Sequence, residues 1–278
     1  LGLLGDACAT VADRLGGEAR PGRTRPIATT VLAVAVVVFL IAPLFVLIPI
    51  SFSGAEFLAW PPTAPGTRWY REVLSSPIWL AAAGRSFLVA AATSVICAVV
   101  AVPAALAFLR LSGRSASAAF ALMISPLLVP RMVIAVSLFY VYARLGLVGT
   151  TAGLVIGHVV VALPYFFIAV VAVLKTYDRR LDLAAASLGA SPIRTTRHVT
   201  LPLIGGGIVS AALFAFVISL DELNIALFAS GGVVSTLPKL MWDEATLRFS
   251  PLLAAVSTLV LTIMSAAVLI AARLRPSN

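Results

Sequence analysis

The sequence predicts an all-α, polytopic membrane protein with six transmembrane helices, and three observations carry that prediction. Hydrophobic residues make up 61% of the 278-residue chain and charged residues only 11%, against about 45–50% and about 25% in soluble domains. The apolar residues come in blocks of roughly 20 or more, the length a helix needs to cross a bilayer. Lys and Arg are distributed unevenly between the connections of those blocks.

The elements follow in order. Residues 1–26 are polar and lack the apolar core of a signal peptide, and a span follows them directly. The first residue is Leu, which leaves the true N-terminus open. The first span, 27–50, is uninterrupted by charge. Residues 51–80 hold Trp60, Pro61, Pro62, Trp69 and Tyr70. They read as a loop with a short helix at headgroup level, where Trp and Tyr are favoured. The second span, 81–109, carries Arg85 near its start, and 110–116 is a short connection. The third, 117–143, contains Pro126 and Pro130. Proline removes a helical N–H and crowds the preceding turn, so a kink or break is expected there. The fourth span is 151–174, followed by a polar loop, 175–201. The fifth, 202–230, has Asp221 and Glu222 inside its far half, and the sixth is 251–272. The chain thus reads as a tail (1–26), a six-span domain (27–272) and a second short tail (273–278).

With the first tail inside, the inner segments hold Arg14, Arg20, Arg23, Arg25, Arg110, Arg114, Lys175, Arg179, Arg180, Arg194, Arg197, Arg273 and Arg275. The outer segments hold Arg68, Arg71, Arg144, Lys239 and Arg248, and Arg85 and Arg131 lie within spans. Thirteen against five predicts both termini in the cytoplasm and requires an even number of spans. The net charge of +9 therefore reflects cytoplasmic loops at a lipid surface, not nucleic acid.

Other classes lose ground on composition. Cys8 and Cys97 form neither a disulfide framework nor a metal spacing. His158 and His198 are far apart and make no metal motif; His158 reads as a packed or hydrogen-bonded residue. The chain contains no phosphate-binding G-x-x-x-x-G-K-[ST] loop, so any energy source must be another subunit or an ion gradient.

The informative loop is 178–202, DRRLDLAAASLGASPIRTTRHVTLP. It reads as two short helices. Asp178 caps the first, and Asp182 suits its first turn, where the helix dipole favours negative charge. Leu181, Ala184, Ala185 and Leu188 share one face. Gly189 ends the helix in a left-handed conformation. Ser191 caps the second helix, with Pro192 at its first position. Arg194 and Arg197 face headgroups or an acidic partner.

This stretch resembles the cytoplasmic EAA signature of ABC importer permeases: Glu-Ala-Ala, three residues, Gly, nine residues, an aliphatic residue, one residue, Leu-Pro. Ala184, Ala185, Gly189, Val199, Leu201 and Pro202 match, and Leu188 and Ala190 fit around the glycine. The signature's Glu position holds Leu183, with Asp182 just before it. The resemblance implies a type I ABC importer permease in a bacterial inner membrane. In that family the loop is a coupling helix that docks in a groove of an ATPase. On this chain the implied coupling residues are Asp182, Leu183, Ala184, Ala185, Leu188, Gly189, Ala190, Arg194, Leu201 and Pro202. Implied partners are a second permease subunit, an ATPase homodimer and an extracytoplasmic substrate-binding protein. ATP and Mg would bind to the ATPases, and this chain is expected to hold no cofactor or metal and to catalyse nothing itself.

The segments ISPLLVP (124–130), ALPYFFIAV (162–170) and ISLDELNIALFASGG (218–232) resemble the polyamine-type branch, the spermidine/putrescine permeases and their relatives. That branch also includes importers of opines, amino-acid-like compounds and aminophosphonates. Charges within spans face a cavity or a partner. Asp221 or Glu222 could therefore meet a substrate ammonium, or pair with an Arg. Adjacent helical positions diverge by about 100°, so one of the two is expected to face the pathway. Arg131, after the Pro126–Pro130 break, would repel a polycation and suit a carboxylate or phosphonate, or would simply neutralise Asp221 or Glu222. Tyr140 and Tyr165 are further pathway candidates. Two other classes stay open: an ion-coupled secondary transporter or channel, and a membrane-embedded enzyme, for which no catalytic constellation is visible.

Overall fold

The computed structural model describes residues 27–62, 64–231, 234–248 and 250–273. The expected tail 1–26 and residues 274–278 lie outside the described residues. These are helical, with one isolated bridge, Ser53 to Pro65. The chain divides into two units, one ending at Pro49 and one running from Ile50.

Helix α1, Ile27–Ser51, lies mostly in the first unit. Most of its described side chains are apolar and exposed, Phe39 by 77% and Leu40 by 68%. Water would penalise such a surface, whereas lipid tails are as apolar as leucine.

In the second unit, α2 (Arg68–Ser75) is the short helix expected after the first span. Its Trp69 turns into the protein: Trp69 and Trp79 are buried with Leu252, Ala255 and Val256. The Trp69 indole N–H donates to the Ala55 carbonyl at 3.2 Å, so its polar handle is satisfied inside the fold. Trp60 stays exposed.

Three long helices build the core: α3 (Pro77–Phe108), α6 (Thr151–Thr176) and α9 (Leu201–Leu220). The face of α3 is made of small residues, Cys97, Ala101 and Ala105. It packs against Phe166, Phe167 and Val170 of α6 and Ala211 and Ala215 of α9. Small residues let backbones approach where dispersion rather than water drives association. Buried polar groups add links. Ser94 donates to the Ala212 carbonyl at 2.6 Å. His158 Nδ1 lies 2.7 Å from the Ser219 hydroxyl, a hydrogen-bonded histidine as expected.

Between α3 and α6 the chain breaks sharply. Helix α4 (Gly113–Ile124) runs into a 3₁₀ turn, Ser125–Leu128, and α5 (Arg131–Leu145) leaves it at 94°. Val129 is extended, as sterics before a proline demand, and the helix restarts after Pro130.

The loop after α6 holds α7 (Arg180–Ser187), the single turn α8 (Pro192–Thr195) and a π-helical turn, Thr196–Thr200, that merges into α9. The fifth span departs from expectation. It stops at Leu220, and a short α10 (Asn224–Ala229) follows. Asp221 and Glu222 therefore sit in a break, not inside a helix. Gly157 of α6 lets α10 lie close, because a Cβ there would come within 2.5 Å of Ile225 Cγ2. Helix α11 (Leu237–Leu247) precedes the last helix, α12 (Leu252–Arg273, 22 residues). Among the described residues four helices are long and apolar enough to span a membrane, and the bent pair makes a fifth.

Candidate functional site

Two places gather the polar residues of this apolar chain. The first is where two broken spans meet. Pro130 leaves α5 starting at Arg131, so that side chain stands at a helix N-terminus beside the 221–223 break. Arg131 Nη1 lies 3.3 Å from Glu222 Oε2, and Nη2 donates to the Tyr165 hydroxyl at 3.4 Å. The Glu222 side chain is fully buried, while that of Arg131 is 40% exposed. The other carboxylate oxygen, Oε1, accepts from the Ile225 N–H at 3.2 Å and so caps α10. Glu222 thus supplies the acceptor that the broken helix lacks, and Arg131 neutralises it in a region where an unpaired charge is costly.

Asp221 differs from its neighbour. It is exposed and engages in no ion pair among the described residues, although its charge lies near Arg131. Glu222 is buried and Asp221 exposed, and because both lie in the break between helices, no helical register sets their directions. Tyr165 joins the cluster. Tyr140 does not; it is 68% exposed, and nine residues of α5 put it about 13 Å along the helix from Arg131.

The second place is the loop 178–202. Asp178 Oδ1 accepts from the Arg180 N–H at 2.9 Å and caps α7. Gly189 closes it at φ +81°, a left-handed value, with open space around it. Ser191 accepts from the Arg194 N–H, and Pro192 opens α8. The loop exposes large apolar side chains beside its charged ones: Leu183 is 69% exposed, Leu188 89% and Ile193 81%. Ala184 is exposed, Ala185 and Ala190 are half-buried, and Arg194 and Arg197 project outward. Leu201 and Pro202 begin α9.

Asp182 does something the motif did not suggest. It turns inward: its Oδ1 accepts from the Tyr177 hydroxyl at 2.8 Å and from the Thr200 hydroxyl at 3.0 Å. Burial, and then the Asp182 carboxylate, push the Tyr177 hydroxyl pKa up, so the phenol remains a donor at physiological pH. Neither partner was legible in the sequence. Among the described residues no His, Cys, Asp and Glu group could hold a metal ion.

The family of "binding-protein-dependent transport system inner membrane component" proteins matches residues 97–276. The putrescine transport system permease protein PotI of Escherichia coli is 33% identical over 231 residues, covering 80% of this chain and 82% of its own. The molybdenum transport system permease protein ModB of Mycobacterium tuberculosis is also 33% identical, over 78% of this chain and 92% of its own. The spermidine/putrescine transport system permease protein PotC of Haemophilus influenzae is 27% identical over 86% and 93%. A bacterial ABC transporter involved in import of the acidic polysaccharide alginate superposes with a TM-score of 0.60 at 15% identity, over 93% of this chain and 95% of the other. That likeness shows the fold.

Proposed function

The chain belongs to the family of binding-protein-dependent transport system inner membrane components, and from that premise we propose that it forms half of an ATP-driven import pathway for an ammonium-bearing solute of the polyamine class. That it is a multi-pass permease subunit of such an importer follows from the family and the relatives. The cargo and the coupling to ATPases are the proposal.

The observation that carries the cargo is the division of charge at the break. Relatives named for putrescine and for molybdenum are equally similar, so identity does not choose between them. The Arg131 charge is spent on buried Glu222, leaving exposed Asp221 as the carboxylate free to meet a cation. A zwitterionic solute of the amino-acid, opine or aminophosphonate kind is the second reading, favoured by the part of Arg131 that stays exposed.

The test is uptake in proteoliposomes holding this chain, its partner permease, the ATPases and the binding protein. Asp221→Asn should raise the KM for putrescine by about twofold to fivefold with little change in kcat, the scale of one exposed ion pair. An unchanged KM, or competition by zwitterions but not diamines, would remove the polyamine reading.

The exposed Leu183, Leu188 and Ile193 support docking of the 178–202 loop on a cytoplasmic ATPase, because such side chains in a polar connection mark a protein contact. The same reading takes α12 as a sixth span, with both termini in the cytoplasm and ATP and Mg on the ATPases. Tagged chain should retain an ATPase on purification, and uptake should stop without ATP. Uptake that survives ATP depletion, with no ATPase retained, would favour an ion-coupled transporter.

A further inference from the structure

The loop between α6 and α9 hangs over a cavity. That cavity, about 350 Å³, is lined by Leu106, Leu109 and Leu174 at the ends of the spans and by Tyr177, Asp182 and Thr200 beneath the loop. Polar bonds help hold α7 beside it.

Asp182 provides two of them through a single atom. Its Oδ1 accepts from Tyr177, at the C-terminal end of α6, and from Thr200, the last residue of the π-turn that becomes α9. Thr200 is 4% exposed, so its hydroxyl is committed to the interior. A third bond ties the same end of the loop to α3, where Arg179 Nη2 donates to the Leu109 carbonyl at 3.2 Å. Bonds to an ionised acceptor belong to the strong class.

The π-turn explains why such a joint is needed. Pro202 has no N–H to return to the His198 carbonyl, and the helix is wound π rather than α just before it. Turns of this kind interrupt the regular helical bonding and recur at functional sites. A loop connected to α9 only through the π-turn would bend there when pushed.

We infer that Asp182 is a positioning residue for coupling rather than a docking residue: its carboxylate locks α7 to the ends of α6 and α9, so that displacement of the loop moves both spans together. The contact with the ATPase then falls to Leu183, Leu188 and Ile193, and the inference rests on the docking proposed above. Asp182, one position before the motif's Glu position, thereby has its task at the joint.

The test uses the whole reconstituted importer and reads ATP hydrolysed per solute moved. Tyr177→Phe with Thr200→Val removes both donors while keeping shape, and Asp182→Ala removes the acceptor. Both should raise that ratio by roughly threefold to tenfold, the scale of one net hydrogen bond, with ATPase retention on purification unchanged. Asp182→Asn keeps an acceptor oxygen and should hold the ratio within about twofold of the parent. An unchanged ratio in the Tyr177→Phe, Thr200→Val variant, with the ATPase still bound, overturns the joint. So does loss of ATPase binding in Asp182→Asn, which would make Asp182 a docking residue. Absence of any ATPase on the parent chain would instead defeat the docking proposal itself.

Discussion

Arg131 and Glu222 form an asymmetric pair, and the asymmetry has consequences. Glu222 is fully buried and caps α10; Arg131 is part-exposed. Arg131→Met would strand a buried carboxylate, whereas Glu222→Gln would leave an arginine able to reach water. We expect Arg131→Met to destabilise by about 3 kcal/mol and Glu222→Gln by about 1 kcal/mol. Denaturation in detergent micelles measures both, and the reverse order would mean that Arg131 is not the neutralising partner. Gly189 is the other residue whose backbone decides its role. At φ +81° any side chain pays about 1–2 kcal/mol. Open space surrounds it, so Gly189→Asp should still insert, and its defect should lie in docking, with ATP hydrolysis uncoupled from transport. Normal uptake by that variant would count against a docking role for the loop.

At the scale of elements, the molecule is organised by interrupted helices. The third predicted span becomes two segments at 94°, and the fifth stops at Leu220 before α10. Both breaks meet at Arg131 and Glu222, so the charge standing at one break is neutralised by the other. Irregular backbone at membrane depth is tolerated where protein buries it or where it lines a pathway. Replacing Pro126 and Pro130 together by alanine restores the missing N–H groups and should let α4 and α5 straighten. Spin labels at Ser117 and Val141 would then report a longer distance than in the parent. An unchanged distance would show that tertiary contacts, not the prolines, set the bend.

At the scale of the whole molecule, much apolar surface remains uncovered. Leu122 and Leu128 around the bend and Val99 on α3 are exposed by 75%, 78% and 68%. Lipid accounts for such surfaces on an outer face. Those beside the breaks instead suit a second permease subunit, because half a pathway needs another wall. We expect the tagged chain to purify with a partner permease. Cysteines introduced at Leu128 should cross-link to that partner and not to lipid-exposed control positions on α1. Cross-linking from α1 alone would place the interface elsewhere.

The first, second and fourth predicted spans were legible in the sequence because each is a local property, a run of apolar residues long enough for a bilayer. The Pro126–Pro130 break was legible for the same reason, since proline acts on its own turn. The capping of the 178–202 loop by Asp178, Gly189, Ser191 and Pro192 was likewise written in neighbouring residues. The burial of Trp69, the termination of the fifth span before Asp221, and the choice of Glu222 over Asp221 as the partner of Arg131 were not. Each depends on residues from distant helices, 91 positions apart in the ion pair. The task of Asp182 is the clearest case. Local spacing gave it a place in the first turn of a helix, which it occupies. Only the tertiary structure brought Thr200 and Tyr177 onto one of its oxygens, because which way a half-buried carboxylate points is decided by the donors the fold places around it.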